Sequence, residues 1–195
     1  MQFASALAVA ASLASAVSGA LIPAPINRHN GTAPSHFKLQ VIGITTAIHL
    51  KHFQAAQSSI FVGLPKQNAE CDTTPTQEEA TFYLGMDGSL YLHRVSETPQ
   101  QTFVDRSGMG QGKFGYTTGA QPPPLNGERK GWALDDAGNM TFDGASFIAC
   151  PHGPENSFGI WVNAGVAAPG FNPDCFPISA RPIAIPEPVG CLYTS

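Results

Sequence analysis

Apolar and polar residues alternate along much of the chain with a period of two, which is the spacing of half-buried β-strands. This alternation is clear at 37–42 and continues, less regularly, at 48–53. A short apolar run follows at 59–64 and ends before Pro65. These patterns predict three strands. The polar segment 66–79 has no apolar periodicity, and we expect it to form a long surface loop.

Three later segments carry the signature of a β-hairpin, in which two apolar strands flank a turn that contains Gly. The clearest turn is Gly85-Met86-Asp87-Gly88, whose Asp-Gly pair favours positive φ. The paired segments are 81–84 with 89–93, 102–105 with 114–116, and 132–134 with 140–142, followed by single strands at 147–149 and 160–162.

Regular spacing of short strands determines the predicted fold class. No window has a sustained helical period, and the 20 glycines and 17 prolines would interrupt a helix. The sequence therefore predicts an all-β protein, a single-domain antiparallel β-sandwich or small barrel. A β-trefoil-like fold is the alternative, although Gly88, Gly112 and Gly138 recur at intervals shorter than the two-hairpin unit of that fold.

Composition divides the chain into three parts. Residues 1–20 are rich in Ala, Ser, Val and Leu and end in small residues, which predicts a signal peptide cleaved between Ser18 and Ala20. Residues 21–35 are Pro-rich and polar and are predicted to form an N-terminal arm. Residues 36–195 are predicted to form the all-β domain. We expect its end, with Pro177, Pro182, Pro186 and Pro188, to be an extended Pro-rich C-terminal strap.

Charge excludes one class of partner. Charged residues make up 12% of the chain, the net charge is -4, and no basic run is present. Nucleic-acid binding depends on clustered Lys and Arg, so we expect no nucleic-acid partner. No second long apolar segment follows the signal peptide, so we expect no membrane association after cleavage.

Secretion determines how four cysteines and two sequons are interpreted. Cys71, Cys150, Cys175 and Cys191 are expected to form disulfides in an oxidising compartment, and three pairings are possible. Their long spacings disfavour a zinc site. The sequons Asn30-Gly31-Thr32 and Asn139-Met140-Thr141 are predicted N-glycosylation sites, with the glycan on Asn30 and Asn139.

Motifs for catalysis or cofactor binding are weak. The Gly-rich segment 108–112 is followed by strand-spaced aromatic residues rather than a helix, so we interpret it as a hairpin turn and expect no nucleotide or other cofactor. No Gly-x-Ser-x-Gly elbow of a serine hydrolase is present. His49 and His52 would lie on opposite faces of a strand, which disfavours a metal site. We therefore expect no catalytic and no metal-binding residues.

Two sugar-related alternatives stay open. Paired carboxylates suffice for glycoside hydrolysis, and the candidate acids are Glu78 with Glu79, Asp135 with Asp136, and Asp143. Turn formation explains the three aspartates equally well. Non-catalytic carbohydrate binding would need exposed aromatic rings, for which the candidates are Tyr83, Tyr91, Tyr116, Trp132, Trp161 and Tyr193.

Ordered motifs across the chain resemble one known family. The stretch Pro99-Gln100-Gln101-Thr102-Phe103-Val104-Asp105, the segment 138–144, and Phe147-Ile148-Ala149-Cys150-Pro151 with Asn172-Pro173-Asp174-Cys175 are similar to the phialide cell wall protein family (PhiA) of filamentous fungi. This chain resembles a diverged member. The family's second cysteine after the position of Cys71 is missing, and Cys191 is present near the end.

The resemblance implies a secreted, extracellular cell wall protein without catalytic residues, linked to spore-bearing cells and wall integrity, with some members known as allergens. Its expected partners are cell wall polysaccharide or other wall proteins. The resemblance includes Cys150 and Cys175, and those two flank neighbouring predicted strands, so we expect them to pair. Cys71 would then pair with Cys191.

Overall fold

The computed structural model describes residues 32–73, 76–96 and 98–195. The predicted signal peptide, most of the N-terminal arm and Asn30 lie outside these residues. The described residues contain two short 3₁₀ helices, Pro154–Asn156 and Pro169–Phe171. Their strands are β1 (Phe37–Ile42), β2 (Gln54–Ala56), β3 (Ser59–Val62), β4 (Glu70–Cys71), β5 (Phe82–Leu84), β6 (Leu90–Leu92), β7 (Gln100–Asp105), β8 (Lys113–Thr118), β9 (Gly127–Glu128), β10 (Trp132–Leu134), β11 (Met140–Phe142), β12 (Phe147–Cys150), β13 (Phe158–Val162), β14 (Phe176–Ala184) and β15 (Cys191–Leu192).

Nine strands form a closed antiparallel barrel. Their order around the barrel is β1-β5-β6-β7-β8-β3-β13-β12-β14, and β14 pairs with β1 to complete the circle. The strands β2, β9, β10 and β11 extend this sheet, while β4 and β15 form a separate two-stranded sheet. The predicted all-β class is confirmed, as a small barrel whose strand order has no three-fold repeat of the trefoil kind. Closure removes the two free edges that an open sheet of these nine strands would have.

The three predicted hairpins are confirmed as β5–β6, β7–β8 and β10–β11. In the longest of them, β7 and β8 pair over six positions, from Gln100 opposite Thr118 to Asp105 opposite Lys113. The predicted strands at 147–149 and 160–162 are confirmed within β12 and β13, which pair with each other. Turn chemistry and short-range alternation were thus sufficient to predict the local pairs.

The predicted strand at 48–53 is wrong. The chain turns there instead, and Leu50 adopts a positive φ of 63° that a strand residue does not adopt. The backbone N–H groups of Val41 and Leu50 donate to Lys51 and Val41 respectively, so this segment folds back on the end of β1. Ile48 and Phe53 are nevertheless completely buried. The apolar pattern therefore identified core residues but not their backbone conformation.

Within the segment 66–79, the described residues 66–73 and 76–79 are less exposed than those of a surface loop. It contains β4, and the side chain of Gln67 is completely buried. The Gln67 Oε1 accepts a hydrogen bond from the Ala55 backbone N–H at 3.2 Å, and its Nε2 donates to the Gln77 carbonyl at 2.7 Å. A buried amide thus fixes this polar segment to β2.

Part of the Pro-rich segment expected to form a strap is the barrel strand β14. Pro177 lies opposite Ile148 of β12, beyond the end of the pairing with β1 at Ser179. Pro182 lies opposite Leu39 of β1, beyond the pairing with β12 and β11. Each proline therefore occupies a position where only one side of β14 is paired, which accommodates its missing N–H.

The C-terminal residues pack into the core of the barrel. Tyr193 is 1% exposed, and its backbone N–H and carbonyl both bond the side-chain amide of Gln100 at 2.9 and 2.8 Å. The Thr194 carbonyl accepts hydrogen bonds from the Ser58 N–H and the Tyr116 hydroxyl. The end of the chain is thus a structural part of the barrel.

Candidate functional site

Two disulfides join distant parts of the chain. Cys71 of β4 and Cys191 of β15 lie opposite each other, with their sulfur atoms 2.08 Å apart. Cys150, the last residue of β12, is bonded to Cys175, with sulfur atoms 2.16 Å apart. These partners agree with the pairing expected from the sequence, in which the family resemblance includes Cys150 and Cys175 and the other two cysteines are left to pair with each other. The pairing in secreted protein stays a prediction for peptide mapping. The second bridge anchors the segment between β13 and β14.

The predicted glycosylation site at Asn139 lies in the turn between β10 and β11. The Asn139 Nδ2 donates to Asp135 Oδ2 at 3.3 Å, and its Oδ1 accepts from the Arg181 Nε at 3.0 Å. The third sequon residue, Thr141, is 6% exposed and donates to the Ala133 carbonyl at 3.1 Å. In the folded protein the sequon is therefore engaged in the hairpin.

A polar cleft of about 350 Å³ contains the candidate acid–base pair Glu78 and Glu79, together with His52. Both carboxylates have structural partners. Glu78 accepts a hydrogen bond from the Gln67 backbone N–H at 3.0 Å, and Glu79 accepts one from Lys38 Nζ at 2.9 Å. Burial lowers the pKa of His52 from its ordinary value, although Glu79 opposes that change. The two carboxylates in this cleft therefore accept hydrogen bonds that connect them to the segment 66–79 and to β1.

The Gly-rich segment 108–112 is the turn between β7 and β8, which agrees with its interpretation as a hairpin turn. Gly112 has a φ of +96°, and a Cβ placed on it would lie 2.0 Å from the carbonyl oxygen of Val162. That carbonyl belongs to β13, so Gly112 permits a close approach between two parts of the sheet. The requirement for glycine here is structural.

The six aromatic candidates divide into two groups. Tyr116, Trp132 and Tyr193 are at most 2% exposed and belong to the core. Tyr83, Tyr91 and Trp161 are partly exposed. Any aromatic sugar-binding surface built from these candidates must therefore use one of the latter three.

Tyr83 and Tyr91 lie opposite each other on β5 and β6, and their rings stack with centroids 4.9 Å apart. The ring centroid of His36 lies 5.9 Å from that of Tyr83 and 4.3 Å from that of His93. Burial raises the pKa of Tyr83 and, with the nearby His36, lowers that of His93. Tyr83, Tyr91, His36 and His93 form a tyrosine–histidine cluster, which covers one patch of the barrel surface.

Trp161 lies in a different place, in a cleft of about 170 Å³ on the outer face of β3, β8 and β13. Lys113 of β8 lies directly opposite Trp161 of β13. The Lys113 Nζ donates a hydrogen bond to the Ser59 hydroxyl of β3 at 3.1 Å. The other polar lining residues include His152 and Asn172, and Cys150, which is bonded to Cys175, lines the cleft as well. The cleft thus combines a tryptophan ring with several hydrogen-bonding groups.

Within residues 32–73, 76–96 and 98–195, no group of three or more His, Cys, Asp or Glu side chains is arranged to hold a metal ion. None of the helices in the same ranges has the length and hydrophobicity needed to span a membrane.

Comparison with known proteins identifies relatives along nearly the whole chain. The cell wall protein phiA of Aspergillus fumigatus is 49% identical over 186 residues, which cover 95% of this chain and 96% of the relative. The cell wall protein phiA of Aspergillus niger is 55% identical over 141 residues, covering 72% and 76%. That of Emericella nidulans is 48% identical over 165 residues, covering 84% and 89%. No solved structure matches the chain.

A family model agrees with these relatives. The model of the PhiA-like secreted protein family matches residues 37–194, from the first residue of β1 to the residue that follows Tyr193. The match therefore includes the whole barrel, both disulfides and the Trp161 cleft. The chain belongs to the PhiA-like secreted protein family.

Proposed function

We propose that this protein is a non-enzymatic structural component of the fungal cell wall, retained by contact with wall polysaccharide or other wall proteins. The observation that carries the proposal is its similarity, over nearly its full length, to proteins named cell wall protein phiA. The protein is secreted and located in the cell wall, in agreement with its family and relatives.

The architecture suits a long-lived extracellular protein. Two disulfides and a closed barrel restrict local opening, and closure removes the two free edges that an open sheet of the nine barrel strands would have. The Glu78 and Glu79 carboxylates, the acid pair that lies in one cleft, hold Gln67 and Lys38. A glycosidase needs one carboxyl group to protonate the leaving group and a second to act on the opposite side of the sugar. The observed partners support a structural role for this pair.

A developmental role is the finer part of the proposal. The resemblance to the phialide cell wall protein family links the protein to spore-bearing cells and wall integrity. Deletion of its gene should reduce the number of spores and increase sensitivity to wall-disrupting dyes. Complementation with the wild-type gene should restore both. Normal sporulation and wall resistance in the deletion strain would contradict this part while leaving the location unaffected.

The structural role is tested with purified mature protein and insoluble chitin, β-glucan and whole cell walls. We expect saturable retention on at least whole walls and no release of soluble sugar during prolonged incubation. The reduced and denatured protein serves as the control for non-specific adhesion. Release of soluble oligosaccharides would contradict the non-enzymatic role, and in that event Glu78→Gln would test whether the polar cleft is responsible.

A further inference from the structure

We propose that the Trp161 cleft binds one pyranose ring of a wall polysaccharide. This inference rests on the proposed function, because it names the polymer class and the site through which the protein is retained. The ligand is identified by its chemistry, an apolar ring face bordered by hydroxyl groups.

One of the strand residues that line the cleft, Gly159, has no side chain. Gly159 of β13 lies opposite Phe61 of β3, and Trp161 is the next residue of β13 on the same face. A Cβ on Gly159 would meet only the indole nitrogen of Trp161, at 3.5 Å. The glycine therefore leaves open space beside the tryptophan ring. Since Gly159 is not among the residues with positive φ, its backbone conformation does not require glycine.

The polar groups of the cleft suit hydroxyl groups. Lys113 Nζ and Ser59 Oγ form a pair 3.1 Å apart on the same face as Trp161, and Asn172 lines the cleft as well. The Lys113 side chain is exposed overall, yet its surroundings remove enough water to lower its pKa. An ammonium group and a hydroxyl beside an aromatic ring can bond sugar oxygens while the ring contacts the C–H face.

The loop at the rim is held in a fixed shape. The backbone N–H of Gly170 donates to Gln111 Oε1 at 2.7 Å, and a Cβ on Gly170 would lie 3.0 Å from the Trp161 ring. Between Gly170 and Asn172, Phe171 is 91% exposed with a φ of +61°. A large exposed aromatic residue in this conformation is unfavourable by itself, and such residues concentrate at functional sites. We infer that Phe171 extends the aromatic surface beyond the cleft.

The size of the cleft limits the ligand. A volume of about 170 Å³ is smaller than the roughly 300–1,000 Å³ of pockets for drug-sized molecules. One ring fits, and neighbouring rings of the polymer would lie outside, near the rim. We expect weak binding of short oligosaccharides, with Kd on the order of 1 mM. Retention on a polymer can still be strong, because many equivalent rings raise the effective ligand concentration.

The experiment titrates the oxidised mature protein with laminarihexaose, chitohexaose and cellohexaose, and follows the two indole N–H signals by NMR. The Trp161 signal should shift saturably with at least one sugar, while the buried Trp132 signal should not. Trp161→Ala should weaken binding about tenfold or more, since it removes the stacking ring. Trp161→Phe should retain part of the affinity.

A second variant fills the cleft and leaves all of its side chains in place. It therefore tests the open space separately from the tryptophan ring. Gly159→Leu should fill the space beside Trp161 and weaken binding to the same extent. Tyr91→Ala, in the separate tyrosine–histidine cluster, is the matched control and should bind as the wild type does. Urea unfolding of each variant checks that the fold is intact.

The outcomes separate the two proposals. Wild-type retention on walls that neither Trp161→Ala nor Gly159→Leu reduces would overturn the site and leave the wall role standing. Absence of any Trp161 shift with all three sugars at 10-fold the expected Kd would overturn the site as well. A saturable shift without retention on walls would support the site and contradict the proposed function. If Tyr91→Ala were the only variant that weakened sugar binding, the sugar site would lie in the tyrosine–histidine cluster instead.

Discussion

The phenolic oxygen of Tyr193 accepts a hydrogen bond from the backbone N–H of Thr81 at 3.0 Å, across 112 positions of sequence. Both residues are almost completely buried. Water therefore does not replace this bond, and the N–H of Thr81 depends on the tyrosine for its acceptor. The C-terminal residues thus contribute to the barrel through a specific bond as well as through apolar contact.

Tyr193→Phe should lower the free energy of unfolding by about 1–3 kcal/mol, because it leaves the Thr81 N–H buried without an acceptor. Urea unfolding of the secreted, oxidised protein measures the change. Tyr91→Phe is the matched control, since Tyr91 is partly exposed, and it should change stability by less than about 0.5 kcal/mol. Equal stability of the two variants would show that the Tyr193 hydroxyl has no structural role.

Alkaline pH should destabilise the protein through the same residue. Burial raises the pKa of Tyr193 from 10.0 to about 12. An acid with a higher pKa in the folded state binds its proton more tightly when folded, so its contribution is complete below pH 10 and declines as pH rises toward 12. The expected slope is roughly 1.4 kcal/mol per pH unit in that window. Urea unfolding between pH 9 and 12 should show a smaller slope for Tyr193→Phe, although buried Tyr116 contributes in the same direction.

Prediction from sequence succeeded where the determining interactions are local. The Asp87-Gly88 turn and the alternation on either side determine β5 and β6 with little help from distant residues. The segment 48–53 has a similar apolar pattern, but its conformation depends on hydrogen bonds to Val41 of β1. Alternation reports burial, and burial alone does not distinguish a strand from a turn whose apolar side chains face the core.

The candidate site could be predicted only in part. Trp161 was recognisable as a possible sugar-binding ring, but the sequence does not show that Trp132 is buried while Trp161 is partly exposed. The open space beside Trp161 results from the register that places Gly159 opposite Phe61. Lys113 reaches the cleft through pairing of β8 with β13. The pairing registers between strands that are distant in sequence follow from closure of the barrel. They leave no pattern within a short window of the sequence.

Removal of the two disulfides should have unequal effects. The bridges have sequence separations of 120 for Cys71–Cys191 and 25 for Cys150–Cys175. On the chain-entropy model their loss costs roughly 5 and roughly 3.5 kcal/mol respectively. Urea unfolding of the paired Cys→Ser variants should therefore show a larger loss of unfolding free energy for the Cys71–Cys191 pair.

Non-reducing peptide mapping of the wild type should find these two links. A peptide that joins Cys71 to Cys150 would contradict the pairing.

Arg106 should stabilise the protein through a small network. Its guanidinium donates to both carboxylate oxygens of Glu128 and to Asp143 at 2.8 Å, and lies 5.0 Å from the centroid of the Phe142 ring. Arg106→Lys cannot reproduce the two parallel bonds to Glu128 and should cost about 1 kcal/mol. Lys130→Ala, which removes the exposed pair with Asp87, is the control and should cost close to zero. High salt should reduce the difference between the two variants in urea unfolding.

Glycosylation at Asn139 should precede folding of the hairpin β10–β11. The Thr141 hydroxyl of the sequon is bonded to the Ala133 carbonyl and is inaccessible in the folded barrel, whereas modification requires an accessible Asn-x-Thr segment. One N–H of Asn139 is retained after a glycan is attached, so the bond to Asp135 can persist. Intact-mass analysis of secreted protein should show a glycan that Asn139→Gln removes, with Asn30→Gln as the matched variant for the other sequon. When folded, non-glycosylated protein is incubated with membranes that contain the glycosylating enzyme, it should resist modification. The reduced and unfolded chain should accept the glycan under the same conditions. Modification of the folded barrel at an equal rate would contradict this order of events.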